Sequence, residues 1–185
     1  MNIRGKIIDF STPKVMGILN ITPDSFFDGG KYLSEQEWIE QTRKMLDQGA
    51  SIIDIGAVST RPGAGDISAE SEIDRLISCI STLRKSFPDT VLSVDTWRSE
   101  VAKLALEYGA DIINDISGGS FDADMFNIVA SFEAAMILMH IQGTPQNMQD
   151  NPEYENVVDE VREFLKIQSG IAQGAGAVSY THLTL

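Results

Sequence analysis

Two rhythms of apolar and polar residues alternate along the chain. Short apolar runs at Val15–Leu19, Ser51–Ile55, Thr90–Val94, Asp111–Ile113 and Ala135–Met139 read as strands, several of them rich in β-branched residues. Between them, apolar residues recur at helical spacing. A helix is predicted from Ser34, where Glu37 three residues on completes a capping box, and Ile39, Thr42, Met45 and Leu46 share one face before Gly49. Ile73, Leu76, Ile77, Ile80 and Leu83 mark a second helix, ending before Pro88. Val101, Leu104, Ala105 and Tyr108 mark a third, stopped by Gly109. A further helix is expected around Ala123–Ser131. Another should start at Asn151-Pro152 and continue through Val158, Val161 and Leu165. Ile3–Phe10 reads as a short leading strand or hairpin arm.

Strand–helix alternation of this kind implies βαβ units and a parallel sheet. An internal echo supports it: GASIIDIG at Gly49–Gly56 matches GADIINDI at Gly109–Ile116. The displacement is 60 residues, two units of about 30. Five units are visible, whereas an eight-unit barrel takes about 250 residues, so this chain is too short to close one.

Two long loops interrupt the pattern. The first, after Asn20, reads ITPDSFFDGG; it carries Phe26 and Phe27 between Pro23 and a glycine pair, the form of a substrate lid at the end of a barrel strand. The second, Gly56–Ala69, is rich in Gly, Ser and Thr and contains Arg61-Pro62.

Composition narrows the partners. With 14 basic and 27 acidic residues the net charge is −13, which argues against nucleic-acid or anionic-membrane partners while leaving room for a local phosphate site. One cysteine, Cys79, lies in a helical apolar pattern and reads as packing, so no disulfide framework or Cys-based zinc site is possible. No signal-peptide core or stretch of about 18 apolar residues is present, and the expected compartment is the cytoplasm.

Asn20, Asp54, Asp95, Asn114 and His140 stand at or near the C-terminal ends of successive strands, which in a parallel βα array surround one crevice. A single such residue is as readily a cap or turn former; a series at strand tips is less so. Asp54 is the exception. It lies inside an apolar strand and could equally be a structural carboxylate satisfied by backbone donors.

Five motifs, in order, carry a resemblance: MGILNITPDSFFDGG from Met16, STRPG at Ser59–Gly63, SVDT at Ser93–Thr96, INDISGG at Ile113–Gly119 and MHIQGTPQNMQ at Met139–Gln149. Over about 150 residues the chain resembles dihydropteroate synthase, of the pterin-binding (β/α)8 TIM-barrel family, truncated to about five βα units. Pterin-binding methyltransferases share the strand-tip Asp and Asn but are not expected to carry both the NITPDSF and STRPG loops.

The resemblance implies condensation of 6-hydroxymethyl-7,8-dihydropterin diphosphate with 4-aminobenzoate in folate synthesis. It assigns Asn20 to Mg²⁺ on the diphosphate, Thr60, Arg61 and Pro62 to the diphosphate and aminobenzoate loop, and Asp95 and Asn114 to the pterin edge. Asp95, Asn114 and Arg61 are the implied catalytic residues. Ile116 and Met139 would wall the pterin slot, with core packing an equal alternative for Met139. Phe26 and Phe27 would cover the aminobenzoate, in a lid shaped by Asp24, Ser25 and Asp28. His140 would support its loop rather than catalyse.

The departures matter as much. The family's sixth-strand DPGIGFGK-like motif, its Lys after strand seven and its Arg-x-His pair after strand eight are absent. From about Ser169 the chain reads SGIAQGAGAVSYTHLTL, without a family motif, and His182 there reads as incidental. The expected division is a partial pterin-binding domain at 1–168 and a tail at 169–185 arising from a frameshift, a truncated gene model or read-through. Five open units would leave two unpaired sheet edges and an unfilled barrel interior, hence a poorly stable or self-associating fragment. A catalytically incompetent fragment of the enzyme is therefore the alternative reading. The family is usually dimeric, through helices mostly in the missing half, so the dimer is not carried over.

Overall fold

The computed structural model describes residues 2–4, 6–22, 34–58 and 67–177. Five parallel strands pair in sequence order: β3 (Val15–Asn20), β4 (Ala50–Gly56), β5 (Val91–Asp95), β6 (Ile112–Asp115) and β7 (Ala135–Leu138). A small antiparallel hairpin, β1 (Asn2–Ile3) with β2 (Lys6–Ile7), precedes them. Helices α1 (Glu35–Asp47), α2 (Ala69–Ser86), α3 (Ser99–Glu107) and α4 (Met125–Ser131) connect the strands, and α5 (Val157–Gly174) follows β7. These are five βα units of the TIM-barrel repeat.

Period-two alternation gives each strand two jobs. Ile53, Ile55, Leu92, Val94 and Ile113 point to the helices and form the main core with Leu76, Cys79, Ile80, Leu83, Val101, Ala105 and Val129. Each fully buried Ile or Leu contributes about 1.5–3 kcal/mol. The other face carries Ile52 and Ile112, which meet Ile3 of the hairpin in a second, smaller cluster. The hairpin thus plugs the sheet's concave side near the N-terminal strand ends.

Among the described residues, β3 pairs only with β4 and β7 only with β6. Val15 and Ile18 on the β3 edge are 60% and 64% exposed, so the expected open edge is present.

Ser34 and Glu37 form the predicted capping box. Gly49 and Gly109, at equivalent places in the echo, adopt φ of 102° and 107°, where a side chain would be strained; each follows its helix at the same point.

Three expectations need correction. The last helix starts at Val157, not Asn151-Pro152: Asn156 caps it by accepting the Val158 and Asp159 N–H groups, and Asn151 has φ 50°. The fourth strand runs Ile112–Asp115, so Asn114 is inside it and Asp111 precedes it; the fifth stops at Leu138. The leading segment takes the hairpin form of its expected alternatives, with two strands of two residues each. Helix α5 crosses the expected boundary at 168/169 without a break.

Candidate functional site

Strand register puts the polar tips on two levels. Asn20, Gly56, Asp95, Asn114 and Ile137 are successive partners across the sheet at the upper level. Two residues back along each strand, Ile18, Asp54, Ser93, Ile112 and Ala135 form the level beneath. Both levels lie near the C-terminal strand ends, the face where βα folds bind ligands.

The side chains meet across strands. Asn114 Nδ2 donates to Asp54 Oδ2 at 3.1 Å, reaching over β5. The small Ser93 between them leaves that path open. Asp54 is 4% exposed and, among the described residues, its other oxygen, Oδ1, has no hydrogen-bond partner. Of the two readings left open for Asp54, the structural one named backbone donors; the donor at Oδ2 is a side-chain amide. Asp95 Oδ1 is likewise sealed from solvent and unpartnered among the described residues. Burial pushes Asp95 up from 3.8 to about 7, helped by the charges of Asp54, Glu72 and Asp115. Burial also raises Asp54, against the opposing influence of the neighbouring Ser93 hydroxyl and the Asn114 amide.

Buried oxygens without donors are costly unless something supplies them. At the C-terminal strand ends of a parallel βα array, where ligands bind, such acceptors suit a ligand edge rich in N–H groups. Gly56 keeps the space beside them clear: a Cβ there would lie 3.1 Å from Asn20 Oδ1 and 3.8 Å from Asp95 Oδ2.

The surrounding loops are fixed by neighbours to which the sequence assigned no role. Asp115 accepts from the Ser117 N–H and hydroxyl through Oδ1 and from the Gly119 N–H through Oδ2, folding the turn after β6 around itself. Gly119 has φ 81°, and a Cβ there would overlap the Phe126 ring at 2.2 Å. Arg98 pairs with buried Glu72 and donates to the Ile67 carbonyl at 3.0 Å, while Arg75 donates to the Ala57 carbonyl at 3.3 Å. Both tie α2 to the strand ends. The INDISGG motif already spans Asp115, Ser117 and Gly119, whereas Glu72, Arg75 and Arg98 lie in no motif.

Asn20 is exposed at the upper level, Ile116 is partly buried, and Met139 is 37% exposed. His140 packs edge-on to Phe164 at 5.0 Å and against Tyr154 at 5.8 Å, as a loop support would. Asp24, Ser25, Phe26, Phe27, Asp28, Thr60, Arg61, Pro62 and His182 lie outside the described residues. Among the described residues no group of three His, Cys, Asp or Glu could hold a metal, and no helix is long and apolar enough to cross a membrane.

A sequence model of the family described as "Pterin binding enzyme" matches residues 16–181. A dihydropteroate synthase of Synechocystis is 46% identical over 164 residues, covering 89% of this chain and 56% of that protein. One from Streptococcus pyogenes is 41% identical over 172 residues, covering 93% and 62%. Among solved structures, Yersinia pestis dihydropteroate synthase with a sulfonamide drug superposes with a TM-score of 0.88 at 38% identity, over 96% of this chain and 64% of that one. The Xanthomonas albilineans enzyme with 4-aminobenzoic acid gives 0.82 at 37%, over 94% and 61%. The chain spans roughly three-fifths of the length of these relatives.

Proposed function

The chain belongs to the pterin-binding enzyme family, and we propose that it carries one wall of a dihydropteroate synthase site. The reaction joins 6-hydroxymethyl-7,8-dihydropterin diphosphate to 4-aminobenzoate, releasing diphosphate and forming a C–N bond at the pterin methylene. The carrying observation is the cluster of Asp54, Asp95 and Asn114 side chains near the C-terminal strand ends, with two buried carboxylate oxygens lacking a donor among the described residues. A pterin's aminopyrimidine edge presents the N–H groups they need.

As diphosphate leaves, positive charge grows on the pterin. An ionised Asp95 against that ring stabilises it electrostatically, while Asn114 holds the ring's orientation. In this reading Ile116 and Met139 flank the ring. Thr60, Arg61 and Pro62 meet the diphosphate and the aminobenzoate, and the Phe26-Phe27 segment covers the latter.

Mg²⁺ is the proposed cofactor, supplying charge neutralisation on the departing diphosphate. The donors fit a hard ion held mainly by substrate phosphates: Asn20 Oδ1 borders a gap at Gly56 that a Cβ would fill, and only oxygens face it. The cytoplasm is the proposed compartment. For this chain alone the same crevice favours binding over turnover, because both β3 and β7 edges are open among the described residues.

The test is dihydropteroate formation by the purified chain from both substrates with Mg²⁺, alongside 6-hydroxymethylpterin binding followed by the probe's fluorescence. Saturable binding lost in Asp95→Ala supports the pterin site, and turnover would extend it to the full reaction. A chain that neither binds nor turns over overturns the proposal.

A further inference from the structure

We propose that Asp54 is a positioning residue that fixes which end of the Asn114 amide faces the crevice. Held this way, Asn114 offers its carbonyl oxygen as an acceptor beside Asp95. The site then selects a planar ligand edge bearing N–H donors over an isosteric edge bearing oxygens. This deepens the pterin-binding reading and rests on it for the identity of the ligand.

The two ends of an asparagine amide have nearly the same shape but opposite hydrogen-bonding sense. What decides between them is the neighbour. An ionised carboxylate only accepts, so Asp54 Oδ2 captures Nδ2 at 3.1 Å and leaves Oδ1 for whatever binds. The contact depends on three features: register that brings β4 and β6 either side of β5, the small Ser93 between them, and burial that shields Asp54 from water.

Stability does not account for Asp54. A carboxylate that is 4% exposed and whose described neighbours are the neutral Asn114 amide and Ser93 hydroxyl is a cost to folding. The internal echo adds an independent observation. Asp54 and Asn114 hold the same place in GASIIDIG and GADIINDI, 60 residues apart, so equivalent positions of the repeat have become orienter and oriented group.

The test measures affinity for 6-hydroxymethylpterin and for 6-hydroxymethyllumazine, in which an oxygen replaces the 2-amino group. The original chain should prefer the pterin by at least about tenfold. Asp54→Asn lets either amide end face the crevice, and should erase most of that preference while thermal stability holds or rises. The exchanged pair, Asp54→Asn with Asn114→Asp, restores an acceptor at position 114 and should recover the preference. A pterin preference unchanged in Asp54→Asn, or an equal loss for both probes, overturns the proposal.

The ¹⁵N-resolved Asn114 side-chain NH₂ signal tests the positioning role without any ligand. Asp54→Ala, or Asp54→Asn if the first fails to fold, should shift it, and an unmoved signal overturns that role. An original chain that binds neither probe defeats the pterin reading instead, and the NH₂ signal alone then decides the role of Asp54.

Discussion

The two ends of one sheet treat a buried aspartate in opposite ways. At the N-terminal end, Asp111 is saturated: Arg4 Nε lies 2.7 Å from Oδ1, and Oδ2 takes Arg84 Nη2 at 2.7 Å and the Leu92 N–H at 2.9 Å. Arg84 also donates to the Gly109 and Thr90 carbonyls. At the C-terminal end, Asp54 and Asp95 each keep an oxygen with no donor among the described residues. The lower end ties strands, a helix and the hairpin together. The upper end leaves its hydrogen-bonding capacity for something outside the chain. The same residue type is a clamp in one place and a receptor in the other.

Breaking the clamp should have the largest effect. Asp111→Ala leaves two guanidinium groups without their shared carboxylate and the Leu92 N–H without an acceptor. A loss of about 3–5 kcal/mol in urea unfolding is expected.

At the upper end the sign reverses. Asp95 has an ordinary value of 3.8 and about 7 when folded, so between those values the folded protein holds a proton that the unfolded chain releases. Stability from this group is full below about pH 4 and is lost as pH rises through about 7. Asp95→Asn should therefore be more stable than the original by roughly 2–4 kcal/mol at pH 8, a gain that vanishes by about pH 4. Equal stabilities at both pH values would remove the contrast between the two ends. In the same variant pterin affinity should fall.

Crowding the receptor without touching its charges sharpens the comparison further. Gly56→Ala puts a methyl group 3.1 Å from Asn20 Oδ1 and should weaken pterin binding about tenfold, with unfolding free energy changed by less than about 1 kcal/mol. A site remote from both carboxylate clusters gives the smallest effect. Ser34→Ala removes the acceptor for the Glu37 N–H and should cost about 1 kcal/mol at any pH near neutrality.

Much of this is legible in the sequence, and for physical reasons. Helical spacing and caps locate α1 through α3, because Ser34, Gly49 and Gly109 impose local geometry whatever the rest of the fold does. Asn20, Asp95 and Asn114 stand out as strand-tip residues and share one level of the sheet. The start of α5 is misplaced because Asn151-Pro152 and Asn156 both look like caps. Only tertiary contacts choose between them: Gln142 Nε2 binds the Glu153 carbonyl at 2.8 Å, holding that segment out of the helix. The echo is visible, but the Asp54–Asn114 contact is not. It depends on Ser93, whose importance is its small size, and small size leaves no signature in a pattern of polar and apolar positions. Asp111, which reads as the first residue of a strand, belongs instead to an ion cluster whose partners lie 27 and 107 residues away.

The hairpin plug has a bearing on how the chain is made. Arg4 leaves the ribosome well before its partner, since Asp111 is 107 residues further on. At about 5–20 residues per second, that interval is on the order of 5–20 s. Throughout it, Ile3 has no Ile112 to cover and the underside of β4 is bare. Contacts this distant in sequence form late and slow the search. The seal at the base of the sheet is therefore a timing element: a segment synthesised before every strand of the sheet is among the last to find its place, and the nascent chain needs shelter for as long as it waits.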